Sequence, residues 1–167
     1  MPITILVVGA TGKQGKQALL TLLDSPNASS ELSLRFLTRN PGSATAQSLV
    51  AKGATAIKGD LLDRESLRKA LAGVDRAFLV TDAMAGEEKE MEQGKTFIDV
   101  AKESGLKHLV FSSVCSADTA TEVPHFRSKA EVGGSSCPSP LSFAGRRTSL
   151  GWISLIFRLR NTSRPQE

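Results

Sequence analysis

The amino-terminal stretch Ile3-Thr4-Ile5-Leu6-Val7-Val8-Gly9-Ala10-Thr11-Gly12-Lys13-Gln14-Gly15 constrains the chain more than any other. Its first six residues, five of them apolar, have the length and composition of a buried β-strand. A glycine-rich turn follows at once, and then a helical pattern that places Ala18, Leu19, Leu22 and Leu23 on one face. The three glycines fall three residues apart, and each answers a different need of a strand–turn–helix unit. Gly9 lets the chain leave the strand sharply. Gly12, without a Cβ, lets the backbone approach a pyrophosphate, and Gly15 lets the helix lie close to the sheet. The free N–H groups of the first helical turn, with the helix dipole behind them, favour a phosphate at that point. Gly9, Ala10, Thr11, Gly12, Lys13, Gln14 and Gly15 are therefore candidate residues for binding a dinucleotide cofactor.

The same alternation continues down the chain. Residues 32–38, 54–58, 77–80 and 108–112 read as further strands, and 43–51, 64–72 and 87–104 as helices between them. Pro26, Pro41-Gly42, Gly53, Gly73 and Gly105 supply the stops, and residues 24–30 read as a polar loop. Five strands alternating with four helices predict an α/β fold, a Rossmann-type doubly wound parallel sheet. Right-handed crossovers then give the strand order 3-2-1-4-5, with the ligand crevice outside the carboxyl ends of the strands. Function is expected in the loops 9–15, 38–41, 59–63, 81–86 and 112–129.

A chain of 167 residues is long enough for one domain with its own core. The overall charge of +4 suggests nucleic acid until it is located: residues 1–132 balance 16 basic against 16 acidic side chains, and the whole excess lies in residues 133–167. No direct nucleic-acid binding is expected of the folded part. There is no long apolar run to span a membrane, and the start reads as a strand rather than a secretory leader. Cys115 and Cys137 form neither a metal-ligand spacing nor a disulfide framework, so no metal is expected. A cytoplasmic setting fits, or a nuclear one.

Several polar residues fall in the crevice loops. Arg39 ends the second strand, where an acidic residue would bond a ribose 2′-hydroxyl and select NAD. No acid occurs from Leu32 to Gly59, and an arginine here can clamp a 2′-phosphate, which predicts NADP with NAD bound more weakly. Asp60, with Leu61 beside it, ends the third strand, where an adenine would lie. Asp63 reads as a helix-capping acid instead. Thr81 and Asp82 end the fourth strand, on the nicotinamide side. Lys95 is a further candidate for cofactor contact, with a solvated surface lysine as the alternative. After Ser112-Ser113 comes His125-Phe126-Arg127-Ser128-Lys129, where short-chain reductases carry Tyr-x-x-x-Lys. This chain has no tyrosine. His125 takes that slot either as a proton shuttle or as a structural histidine, and Lys129 is a candidate for both catalysis and ribose contact.

Taken together, these segments resemble one family. Gly9-Ala-Thr-Gly12-Lys-Gln-Gly15, Leu37-Thr-Arg39-Asn-Pro41, Gly59-Asp60-Leu-Leu-Asp63, Phe78-Leu-Val-Thr81-Asp82, Glu92-Gln-Gly-Lys95, Phe111-Ser-Ser113 and Val123-Pro-His125-Phe-Arg-Ser-Lys129-Ala-Glu131-Val132 are similar to the NmrA-like family. These are atypical relatives of the short-chain dehydrogenases, and the resemblance covers about residues 3–132. It implies NAD(P) binding, histidine in place of the catalytic tyrosine, and signalling through a regulatory protein partner in many members, with turnover of a small-molecule substrate in others.

Beyond Val132 the resemblance stops. The family pattern continues to a sixth strand with a Leu/Ile-Arg-Pro motif and then to a substrate-binding region; neither is found here. Ser, Arg, Gly and Pro instead make up 19 of the last 35 residues. The sequence therefore divides into an incomplete NAD(P)-binding domain over 1–132 and a tail over 133–167, expected to be disordered or poorly packed and to leave the fifth strand as a bare sheet edge. A shifted reading frame or a retained intron accounts for the change in composition. The alternative is that the apolar run from Trp152 to Phe157 docks on that edge as a replacement strand. Three functions stand open on this reading: an NADP(H)-binding redox sensor or regulator, an NADPH-dependent reductase, and an inactive fragment.

Overall fold

In a computed structural model, residues 2–114, 124–135, 146–147 and 152–158 are described. Strand β1 (Ile3–Val8) forms the centre of the parallel sheet, with β2 (Leu32–Thr38) and then β3 (Thr55–Lys58) on one side and β4 (Arg76–Leu79) and β5 (His108–Val114) on the other. The order is thus 3-2-1-4-5, with Val7 level with Phe36 on β2 and Phe78 on β4. This is the doubly wound α/β arrangement expected from the alternation of elements.

Strand alternation divides the core into two layers, because successive side chains point to opposite faces. Leu6 and Val8 face one layer, with Leu37, Leu79 and Phe111, under α4 (Arg64–Leu71), α5 (Glu87–Glu103) and α6 (Pro124–Ser135). Val7 faces the other, with Leu34 and Phe36, under α1 (Lys13–Leu23) and α3 (Ala44–Ala51). Each large side chain so buried contributes roughly 1.5–3 kcal/mol. Ser43 caps α3 by accepting from the Ala46 N–H, and Asp63 caps α4 by accepting from the N–H groups of Glu65 and Ser66.

Two features differ from the sequence reading. Residues 24–30, read from the sequence as a polar loop, run into a one-turn helix, α2 (Ala28–Glu31), which seats the buried Ala28 beneath the entry to β2. More consequential is the outer edge of β5, expected to be bare, with docking of the run from Trp152 to Phe157 as the alternative; the structure has the alternative. Strand β7 (Trp152–Arg158) runs antiparallel along its whole length, from Val114 opposite Trp152 to His108 opposite Arg158. A two-residue strand, β6 (Arg146–Arg147), pairs antiparallel with β7 in turn, so the sheet has seven strands among the described residues. The physical reason lies in composition: Trp152, Ile153, Leu155, Ile156 and Phe157 are β-prone, and an unpaired strand edge offers them a template.

Candidate functional site

The site is built outward from the turn after β1. Gly9 adopts φ +78°, and its carbonyl accepts the Gly12 N–H at 3.0 Å. A Cβ on Gly15 would lie 2.3 Å from the Gly9 carbonyl oxygen, so only glycine lets α1 start this close to the turn. Unlike α3 and α4, α1 has no side-chain cap among the described residues, and unlike α4 it has no acid in its first turn. Its amino-terminal N–H groups and positive dipole end therefore remain available to an anion.

A cleft of about 320 Å³ opens in front of this turn. Gly9, Thr11 and Gly12 form one wall. Thr38 and Arg39 enter from the end of β2, and Asp60 and Leu61 from the end of β3. Val80, Thr81 and Asp82 close it from β4, with Gln93 of α5 behind them. The Arg39 guanidinium has no partner among the described residues. The Asp60 carboxylate accepts the Leu62 N–H at 2.9 Å, which fixes the loop after β3. The Asp82 N–H donates to Gln93 Oε1 at 3.2 Å.

Eight of the expected cofactor residues thus converge on one cleft: Gly9, Thr11, Gly12, Arg39, Asp60, Leu61, Thr81 and Asp82. The others lie outside its lining. Ala10 is buried in the core, and Gly15 packs behind the turn. Gln14 Oε1 accepts from Ser112 Oγ at 2.7 Å and ties the turn to β5. Lys13 is exposed on the first turn of α1. Lys95 pairs with Glu131 at 3.5 Å on the surface between α5 and α6. His125 falls in the first turn of α6, and its side chain lies outside the described residues.

Lys129 is only 4 % exposed, and its ammonium donates to Glu90 Oε1 at 2.8 Å and to Thr81 Oγ1 at 3.3 Å. The same Glu90 oxygen accepts from Thr81 Oγ1 at 2.7 Å, and Glu90 Oε2 accepts from Ser128 Oγ at 2.6 Å. Burial pushes the Glu90 carboxyl up, but the hydrogen bonds from Lys129 and Ser128, the Lys129 charge and the Thr81 hydroxyl outweigh it and hold the group below its ordinary value. Nearer the surface, the fork of Arg127 grips Glu87. Its Nη2 lies 2.7 Å from Oε2, which lowers the Glu87 carboxyl and raises the guanidinium. At the end of β5, the Ser113 hydroxyl is buried without a hydrogen-bond partner among the described residues.

Glu90, Gln93 and Ser128 were not singled out in the sequence. One signal was present. Glu90 and Gln93 continue, at spacings of three to four, the inward stripe of Phe97, Ile98 and Ala101, and polar residues on such a stripe mark a buried network. Among the described residues no group of His, Cys, Asp and Glu is placed to hold a metal ion, and no helix is long and apolar enough to cross a membrane.

The geometry fits a dinucleotide: an uncapped helix end behind a glycine turn for the pyrophosphate, and an unpaired guanidinium one strand away. Comparison with known proteins points the same way. A model of the NmrA-like family matches residues 1–137. The NmrA-like family domain-containing oxidoreductase FrzB of a Cladobotryum species is 37% identical over 119 residues, covering 68% of this chain and 34% of that protein. The NADPH-dependent quinone oxidoreductase QOR2 of Escherichia coli, crystallised with NADPH, superposes with a TM-score of 0.63 at 29% identity, over 78% of this chain and 45% of that one. The negative transcriptional regulator NmrA, crystallised with NADP, superposes with a TM-score of 0.67 at 25% identity, over 81% and 41%. NmrA has also been crystallised with NAD. The chain spans about a third of the length of the curated relatives it matches.

Proposed function

The chain belongs to the NmrA-like family, and on that premise we propose that it binds NADP(H) in preference to NAD(H) in this cleft and serves as a redox-sensing, regulatory protein. The observation that carries the cofactor choice is Arg39, an unpaired guanidinium in the cleft lining at the end of β2, with no acid from Leu32 to Gly59 to hold a ribose 2′-hydroxyl. The pyrophosphate takes the first N–H groups of α1, the adenine lies along Asp60 and Leu61, and the 2′-phosphate meets Arg39. That two relatives were crystallised with NADPH and NADP supports the choice of cofactor. A charge-assisted hydrogen bond to that phosphate contributes about 1.5–3 kcal/mol, or tenfold and more in affinity.

Regulation is favoured over turnover by the residues at the other end of the cleft. The chain has no tyrosine to pass a proton, and the Lys129 ammonium is engaged by Glu90 and Thr81. NADPH bound here supplies a hydride donor, and a reductase is the second reading. It is supported by the likeness to QOR2 and FrzB, with His125 as the candidate proton carrier.

Titration with NADPH and NADH by calorimetry tests the cofactor choice. The unsubstituted chain is expected to prefer NADPH about tenfold, and Arg39→Ala to abolish the preference. Equal curves before substitution would refute the assignment. NADPH oxidation in the presence of quinones separates the two roles, since a regulator leaves the absorbance at 340 nm unchanged.

A further inference from the structure

Glu90 is fully buried, yet it faces donors from two other elements. Thr81 reaches it from the end of β4, and Ser128 and Lys129 reach it from α6, at 2.6–2.8 Å. A buried carboxylate is tolerated only when paired and hydrogen-bonded. Its donors are therefore held in fixed positions, and displacing one unbalances the others. The Lys129–Thr81 contact at 3.3 Å closes the network, and the Phe111 ring lies 5.4 Å from the ammonium. Thr81 is the one member that also lines the cleft. The outward residues Arg127 and Glu131 of α6 bear ion pairs to Glu87 and Lys95 on the protein surface. A single carboxylate thus joins the cleft wall to a helix with an exposed polar face.

Building on the dinucleotide reading above, we propose that Glu90 is a positioning residue that couples occupancy of the cleft to the seating of α6. A ligand resting against the β4 end restricts Thr81. Thr81 in turn fixes the Glu90 oxygen that it shares with Lys129, and the second Glu90 oxygen fixes Ser128. The close contact of Gly94 with Val132 leaves α6 little room to follow in any other way: a Cβ on Gly94 would lie 2.4 Å from Val132 Cγ2. Such coupling is reciprocal, so whatever holds α6 in place must also tighten the cleft.

Hydrogen exchange of the 167-residue chain with and without NADPH tests the coupling. NADPH is expected to slow exchange both in residues 9–15 and in residues 127–133. Ser128→Ala removes one link without touching the cleft. It is expected to keep the protection of 9–15 and to bind NADPH within about threefold of the parent, while losing part of the protection of α6, since the Lys129 link to Glu90 remains. Glu90→Gln is expected to lose that protection too and to weaken NADPH about tenfold, with the NADPH-to-NADH ratio unchanged. Protection of 9–15 without any in 127–133 would overturn the coupling and leave the dinucleotide site standing. So would full protection of α6 in Ser128→Ala. Absence of protection in both regions would remove the dinucleotide reading and the coupling with it. Should Glu90→Gln fail to fold, the parent chain and Ser128→Ala decide the matter.

Discussion

Gly12 and Gly15 sit one helical turn apart and are constrained by different things. A Cβ on Gly15 would press into backbone, 2.3 Å from the Gly9 carbonyl oxygen and 2.8 Å from the Ala10 nitrogen, and neither can move without parting α1 from the sheet. A Cβ on Gly12 meets only the Gly9 carbonyl oxygen, at 3.4 Å, and otherwise stands in the cleft lining. Gly15→Ala is therefore expected to cost roughly 1–3 kcal/mol of stability as well as NADPH binding. Gly12→Ala is expected to lose binding while melting within a degree or two of the parent. Thermal melts paired with NADPH titrations check both. Loss of stability in Gly12→Ala would mean that the turn, not the ligand, demands that glycine. These roles were legible in the sequence because a strand, a turn and a helix followed one another with no intervening residues. Arg39 was legible for a similar reason, standing where an acid was absent. Glu90 was not. It is one of three acids in the first turn of α5, beside Glu87 and Glu88; its spacing sets it on the inward stripe, but its partners come from α6 and the β4 end, which the sequence does not place.

The α5–α6 contact carries two predictions at the scale of elements. The first is steric. Gly94→Ala would place a Cβ 2.4 Å and 2.6 Å from the two Val132 methyls, which are wedged between the helices. It is expected to destabilise the chain by about 1–3 kcal/mol. Val132→Ala alone costs roughly 2 kcal/mol through lost packing and the cavity it leaves. The double substitution is expected to be more stable than the sum of the two, because the methyl lost from one helix makes room for the one gained on the other. Urea midpoints of the four chains measure the interaction, and simple additivity would count against close packing at this site. The second prediction is electrostatic. Held below its ordinary value near 4.5, the Glu90 carboxyl binds its proton in the unfolded chain first as the pH falls. Its contribution to stability is complete above about pH 4.5 and is lost as acidification continues through the lower native value. Glu90→Gln is expected to be less stable at neutral pH, where it leaves the Lys129 charge uncompensated, and to show a shallower decline as the pH falls below about 4.5. Urea unfolding across that range checks it, and an unchanged acid slope would place the proton-linked stability in other carboxylates. The stripe through Gln93 was visible in the helical spacing, but the close crossing at Gly94 cannot be read without knowing which helix lies opposite.

At the scale of the whole molecule the sheet depends on its last strands. Parallel sheets are stable when both faces and both edges are covered. Helices cover the faces, and β7 covers the β5 edge over seven residue pairs, Val114–Trp152 through His108–Arg158. The pattern that the resemblance implies leads from the α6 region to a sixth strand, whereas here β7 runs antiparallel along β5 and carries β6 on its outer side. The β-prone run from Trp152 to Phe157 made this pairing legible as an alternative, but its arginine- and serine-rich surroundings favoured a tail without structure. The pairing rests on the backbone ladder and on a strand of high β-propensity, and either property would suit an edge of β5 regardless of what the tail had been selected for. A chain ending at residue 137 would retain every residue of the family match and every described cleft residue, but it would leave the N–H and C=O groups on the outer side of β5 unpaired. It is expected to bind NADPH weakly or not at all above its own melting range, to melt at least about 5 °C below the full chain, and to associate as concentration rises. Sedimentation velocity and melting of the two chains side by side provide the measurement. A shortened chain that stays monomeric and melts with the parent would show that β7 adds nothing to the fold, and that the parallel five-stranded sheet with its three covering helices on the α6 side is sufficient by itself.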